Sequence, residues 1–164
     1  MCSSEYEKQL LESGFSQLYL ITDKIQFNNI EIILVKGQYG TGIVGKMMGN
    51  SHGFILKNQK KGVVYITGDK VWCKCVDKAM EQYNPNYVIA FAGSAMINNK
   101  HITLDANDLN KILSKNAATK VIAIHMEAWN HCLLTRSNLK EAIDNDNLFI
   151  PDDGEVITLE DIYN

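Results

Sequence analysis

The hydrophobic period of this chain changes once, near Lys70, and that change does most to fix its fold class. Upstream of it, β-branched and aromatic runs follow one another at residues 17–22, 30–36, 53–57 and 63–67. Each is strand-sized and bounded by turn residues, with Asn28-Asn29 and 59–62 reading as hairpin turns. A short helix over 4–12, stopped by Gly14, precedes them. Downstream, apolar residues at 72, 76, 79, 80 and 83 have helical spacing, and Pro85 closes that segment. A buried strand over 86–92, a helix over 105–114, a strand over 121–124 and a helix from Thr135 to about residue 143 then alternate. Thr103 or Asp105 can cap the middle helix. Strands at 148–150 and 155–158 flank the turn Pro151-Asp152-Asp153-Gly154. The reading is an antiparallel meander joined to strand–helix–strand–helix, an α/β pattern with a mixed sheet and helices on one face.

The 164 residues suit one domain, 1–164. With 46% hydrophobic and 21% charged residues the composition is globular. A formal net charge of −3 without a basic stripe gives nucleic acid no footing. No apolar run approaches the roughly 20 residues that span a bilayer, so no membrane partner is expected. The polar start Met1-Cys2-Ser3-Ser4-Glu5 has no signal-like apolar core. Four cysteines then read as free thiols of a reducing, cytoplasmic compartment.

Several segments can carry chemistry. Gly40-Thr41-Gly42-Ile43-Val44-Gly45-Lys46 nearly matches a phosphate-binding loop. Met47 stands where a hydroxyl should hold Mg²⁺, and Gly49, Asn50 and Gly53 argue against a following helix. Nucleotide binding through Gly40 to Lys46 is therefore the distant alternative. Gly68-Asp69 puts a carboxylate directly after a strand, where Asp69 is either an active-site group at the sheet's carboxyl edge or the N-cap of the next helix. His125 ends a buried strand and is either a metal-type ligand or a hydrogen-bonded core histidine. Near it, Met126-Glu127-Ala128-Trp129-Asn130-His131-Cys132 is dense in polar and coordinating groups. Cys73 and Cys75 have the wrong spacing for a redox pair or zinc knuckle and read as structural, Cys73 less firmly because Asp69 is near. His52 and His101 fall in polar turns and are expected at the surface.

Gly68-Asp69-Lys70-Val71-Trp72-Cys73, Ala92-Gly93, the segment His125 to Cys132, Thr135-Arg136 and Pro151-Asp152-Asp153-Gly154-Glu155 together resemble the metallo-β-lactamase-fold metal-dependent hydrolases. The resemblance runs from about residue 5 to 159. It implies an αβ/βα sandwich with a two-zinc site at one edge, of which this chain is the C-terminal half. By resemblance Asp69 matches the metal-bridging aspartate and His125 the last metal-binding histidine. The family's His-x-His-x-Asp-His loop is absent. Tyr39 stands where the family's Gly-Gln-His-Gly loop has histidine, and Lys70 where Thr is common. Two ligands remain where catalytic zinc takes three and an open position. The expectation is a truncated or degenerate member with weak zinc binding and impaired hydrolysis of a small-molecule substrate. Tyr39, His131 or Cys73 are the possible accessory ligands, and Lys70 is expected to place a cation by the site. The alternative is a hydrolase completed by a partner chain with the missing ligands. The sheet face that the first half normally covers implies a homodimer or such a partner.

Overall fold

The structure, a computed structural model, describes residues 2–158. The first half holds β1 (Cys2–Ser3), a 3-10 turn (Ser4–Tyr6), α1 (Glu7–Glu12), β2 (Leu20–Ile21), β3 (Lys24–Phe27), β4 (Ile30–Gln38), α2 (Gly42–Met48), β5 (Asn50–Asn58) and β6 (Gly62–Ile66). The second half runs α3 (Lys74–Tyr83), β7 (Tyr87–Phe91), β8 (Met96–Ile97), β9 (Lys100–His101), α4 (Ala106–Lys115), β10 (Lys120–Ile124), α5 (Arg136–Ala142) and β11 (Leu148–Phe149).

Seven strands form one mixed sheet in the order β11-β10-β7-β6-β5-β4-β3. Strands β3 to β6 are antiparallel neighbours, whereas β6, β7, β10 and β11 pair in parallel. Hence β4, β6, β7 and β10 all run the same way and deliver their carboxyl ends to one edge. Loops that follow these four strands converge there.

Strand alternation splits the sheet into two apolar faces. On one, Val35, Ile55, Tyr65, Val88, Ala90, Val121 and Ala123 pack against Val76 and Met80 of α3, Leu109 and Ile112 of α4 and Leu139 of α5. On the other, Ile32 and Leu34 are covered by Ile21, while Tyr87 and Ile122 gather Val64, Ile89, Ile124 and Phe149. Among the described residues no helical residue enters either of those two clusters. Asp105 and Thr135 cap α4 and α5, their side chains accepting from the Asp108 and Asn138 amides.

Four local expectations change. A seven-residue helix, α2, does follow the glycine-rich loop: Gly42 is its first residue and Gly49 its C-cap, both with positive φ, and only Gly45 falls in its interior. The helix read from residue 71 starts at Lys74, with Cys73 as N-cap. Residues 155–158 form no strand, and only Leu20–Ile21 of 17–22 does. Strand β3 and the hairpin β8–β9 are additional. Lys24-Ile25-Gln26-Phe27 does alternate polar and apolar, but over four residues only, and Met96-Ile97 with Lys100-His101 is too short to show a period.

Candidate metal centre

The converging edge assembles the candidate site. Asp69 follows β6 through Gly68, whose φ of +66° lets the chain turn out of the strand. A side chain at Gly68 would also strike the His52 carbonyl. The turn is pinned on the protein side: the Ser51 hydroxyl donates to the Asp69 carbonyl, the Val71 amide to the Gln38 carbonyl at 3.2 Å, and the Trp72 amide to Asp108 Oδ2 at 3.3 Å. Because α3 begins only at Lys74, the Asp69 carboxylate caps no helix.

His125 follows β10, and β7 separates that strand from β6, so the two site residues sit on strands flanking β7 and not on adjacent ones. The His125 ring stacks on Phe91 at the end of β7, with centroids 5.0 Å apart and planes 14° from parallel. Its Nε2 lies 3.9 Å from Asp69 Oδ1. That is too long for a hydrogen bond and within the sum of two zinc–ligand distances of about 2.0–2.2 Å; tetrahedral coordination would draw the two atoms about 0.5 Å closer. Asp69 Oδ1 and His125 Nδ1 are buried and have no hydrogen-bond partner. Unsatisfied buried polar atoms of this kind are rare in folded proteins and call for a reason.

Tyr39 leaves the end of β4 at the same edge. Partial burial pushes its phenol above the ordinary tyrosine range, and the nearby Asp69 charge adds to this. Cys132, part of the segment dense in coordinating groups but not among the expected accessory ligands, also stands near Asp69: burial raises its thiol, and the Asp69 charge contributes in the same direction. Its sulfur packs so closely on Gly93 that a Cβ there would sit 2.8 Å away. The other accessory candidates are directed elsewhere. His131 is exposed and stacks on Trp129 at 6.3 Å. Cys73 packs against the helix-side core.

Lys70 is also turned away. Its side chain is fully buried, lies in a slot made by Gly37 and Gly53, and donates to the Val35 carbonyl at 3.4 Å. Burial lowers its ammonium to about 8. Among the described residues no hydrogen bond or ion pair joins it to Asp69 or His125, so the expected cation beside the site is instead a cation within the core.

His52, expected in an exposed turn, is on β5 with its side chain only 7% exposed. It meets the Tyr6 ring edge-on at 5.8 Å, and burial lowers its imidazole. His101 is exposed, as expected.

Among the described residues no group of three or more His, Cys, Asp or Glu side chains is close enough to hold a metal ion. The pair Asp69–His125 suits one ion in donor chemistry, but two ligands fall short of a catalytic centre. No helix among the described residues is long and apolar enough to cross a membrane.

No family model matches the chain. It is similar to UPF0173 protein YddR of Bacillus subtilis (strain 168), 27% identical over 157 residues covering 92% of this chain and 62% of that protein. The structure of a possible metal-dependent hydrolase from Veillonella parvula DSM 2008 superposes with a TM-score of 0.89 at 29% identity, over 96% of this chain and 65% of that one. An isothiocyanate hydrolase from Delia radicum gut bacteria gives 0.86 at 29% identity, over 95% and 66%. A metallo-beta-lactamase fold protein, YhfI of Bacillus subtilis, gives 0.66 at 10% identity, over 93% and 62%, a likeness of fold alone. The chain thus spans less than two thirds of the length of each. Its mixed sheet, its helices on one face and these likenesses agree that the chain has the fold of the metallo-β-lactamase-fold metal-dependent hydrolases.

Proposed function

We propose that this chain carries the second-half part of a hydrolase metal site, and that by itself it holds zinc too weakly for hydrolysis. The observation that carries this reading is the convergence of Asp69 and His125, with His125 Nε2 3.9 Å from the buried and unsatisfied Asp69 Oδ1, beside a tyrosine in the third position. A phenol pushed upward gives up its proton reluctantly and so is a poor metal ligand at neutral pH. In this reading Asp69 and His125 are the metal ligands and Tyr39 marks the weakened position. Four unpaired thiols, Cys2, Cys73, Cys75 and Cys132, fit a reducing cytoplasm.

The test is zinc titration of the wild type, Tyr39→His and Tyr39→Phe. Tyr39→His supplies a third ligand and should tighten zinc at least about tenfold, about 1.4 kcal/mol. Tyr39→Phe controls for loss of the hydroxyl. Equal affinity in the two variants refutes the assignment of the site.

A second reading is favoured by the sheet face whose apolar clusters take in no helical residue among the described residues. A separate polypeptide bearing His-x-His-x-Asp-His, or a second copy of this chain, would cover that face, and the former would complete the ligand set. Isothiocyanates, the substrates of one similar hydrolase, are the first compounds to assay once such a complex is assembled. Hydrolysis by the purified chain alone would overturn the first reading.

A further inference from the structure

Thr135-Arg136 and the Pro151–Gly154 turn belong to the segments that carry the family resemblance, yet neither touches the Asp69–His125 pair. Their geometry gives them a role. The backbone after β10 is held in an unfavourable form: His125 and Glu127 have φ of +65° and +62°, a region that residues with a Cβ seldom adopt. Between them the Met126 side chain plugs into the helix-side core. Such strain persists only where the surroundings over-determine it.

Arg136, the first residue of α5, is bonded to that turn. Its backbone amide donates to Glu127 Oε1 at 3.1 Å and its Nη1 to Glu127 Oε2. Its Nη2 donates to Asp153 and its Nε to the Pro151 carbonyl at 2.9 Å. One guanidinium thus ties the turn after β10 to the turn after β11, with the fork geometry that arginine has and lysine lacks. Its side chain is 19% exposed, whereas Glu127 is 38% and Asp153 93% exposed, so the bond to the Pro151 carbonyl and the two-point contact with Glu127 are the firmer part of the clamp.

We infer that Arg136 is a positioning residue: by clamping Glu127 against the 151–153 turn it sets the left-handed turn that holds the His125 ring on Phe91 and toward Asp69. The clamp rests on observed bonds. Its consequence for metal rests on the reading of His125 as a ligand given above.

The experiment is NMR of the His125 ring protons in the full chain. Stacking on Phe91 gives them a ring-current shift, and Phe91→Leu both identifies the signal and sets its zero. In Arg136→Gln the shift should move at least half of the way to the Phe91→Leu value, while methyl signals of Val88 and Leu109 stay in place. Arg136→Lys, which keeps the charge without the fork, should fall between. Asp153→Asn, at the exposed end of the clamp, should move the signal in the same direction by less. An unchanged His125 shift in folded Arg136→Gln overturns the proposal. If that variant does not fold, unchanged shifts in both Arg136→Lys and Asp153→Asn overturn it equally. Zinc titration in the Tyr39→His background separates the two readings. A moved ring with at least tenfold weaker zinc supports both. A moved ring with unchanged zinc upholds the clamp and refutes His125 as a ligand.

Discussion

Replacing Lys70 by methionine should stabilise the protein at neutral pH and lose that advantage as the pH rises. The Lys70 ammonium is fully buried, has one long hydrogen bond to the Val35 carbonyl, and lies 5.8 Å from the centre of the Tyr65 ring. Burial lowers it from 10.5 to about 8. Methionine is similar in length and fills the same slot without a charge. Below about pH 8 the folded and unfolded chains both carry the Lys70 proton, so the folded state bears the whole cost of a buried charge. Between about 8 and 10.5 the unfolded chain keeps the proton and the folded chain releases it. Wild-type stability therefore rises by about 1.4 kcal/mol per pH unit across that window. Above it the cost is gone. The advantage of methionine should be about 3 kcal/mol near neutrality and should approach zero above about pH 10.5. The assay is urea unfolding of both proteins from about pH 7 to pH 10.5. It is run with Cys73→Ser and Cys75→Ser in both, because those thiols lie close enough to influence Lys70. Tyrosines common to both cancel in the difference. A difference that stays constant with pH, or a methionine variant less stable near pH 7, refutes the argument.

Two other outcomes follow from packing. Gly37→Ala puts a Cβ 2.9 Å from the Lys70 side chain, which supplies its three nearest atoms. It should destabilise the wild type by about 1–3 kcal/mol and be tolerated in Lys70→Ala, which a double-mutant cycle in urea reads directly. Asp105→Ala removes the side-chain cap of α4 at the Asp108 amide and should cost about 1 kcal/mol in the same assay, with additivity against Gly37→Ala showing that the two sites are independent.

The sequence exposes the main elements because their signals are local. The spacing of Val76, Ala79, Met80 and Tyr83 belongs to one helix face, and the β-branched runs at 30–36 and 63–67 have no other economical burial. Helix α2 is hidden because Gly42, Gly45 and Gly49 carry the opposite signal, and Val44 and Met48 earn their place only by packing on Ala95, Ile102 and Cys132, residues distant in sequence. Asp69 is ambiguous in sequence because a cap and a site carboxylate look alike there; the late start of α3 separates them. Lys70 misleads for a related reason. Its position beside Asp69 suggests a shared site, but the turn at Gly68 sends the two side chains in different directions, and the slot between Gly37 and Gly53 exists only once β4 and β5 are paired. His52 is similar: the groups it meets, Tyr6 and Glu5, are distant from it in sequence.

Strand β6 is the seam of the sheet, antiparallel to β5 on one side and parallel to β7 on the other. The two sides make different demands on a collapsing chain. The β4–β5 and β5–β6 pairings join segments that are close in sequence, so their closure costs little entropy and they form early. The β7–β10 pairing must wait until the hairpin β8–β9 and the helix α4 between those strands have been laid down. The amide of Ile55 should accordingly gain protection from exchange before that of Ile122 during refolding. Asp69 would then be in place while His125 is still unpositioned, and the edge that gathers them would be the last part of the sheet to acquire its shape.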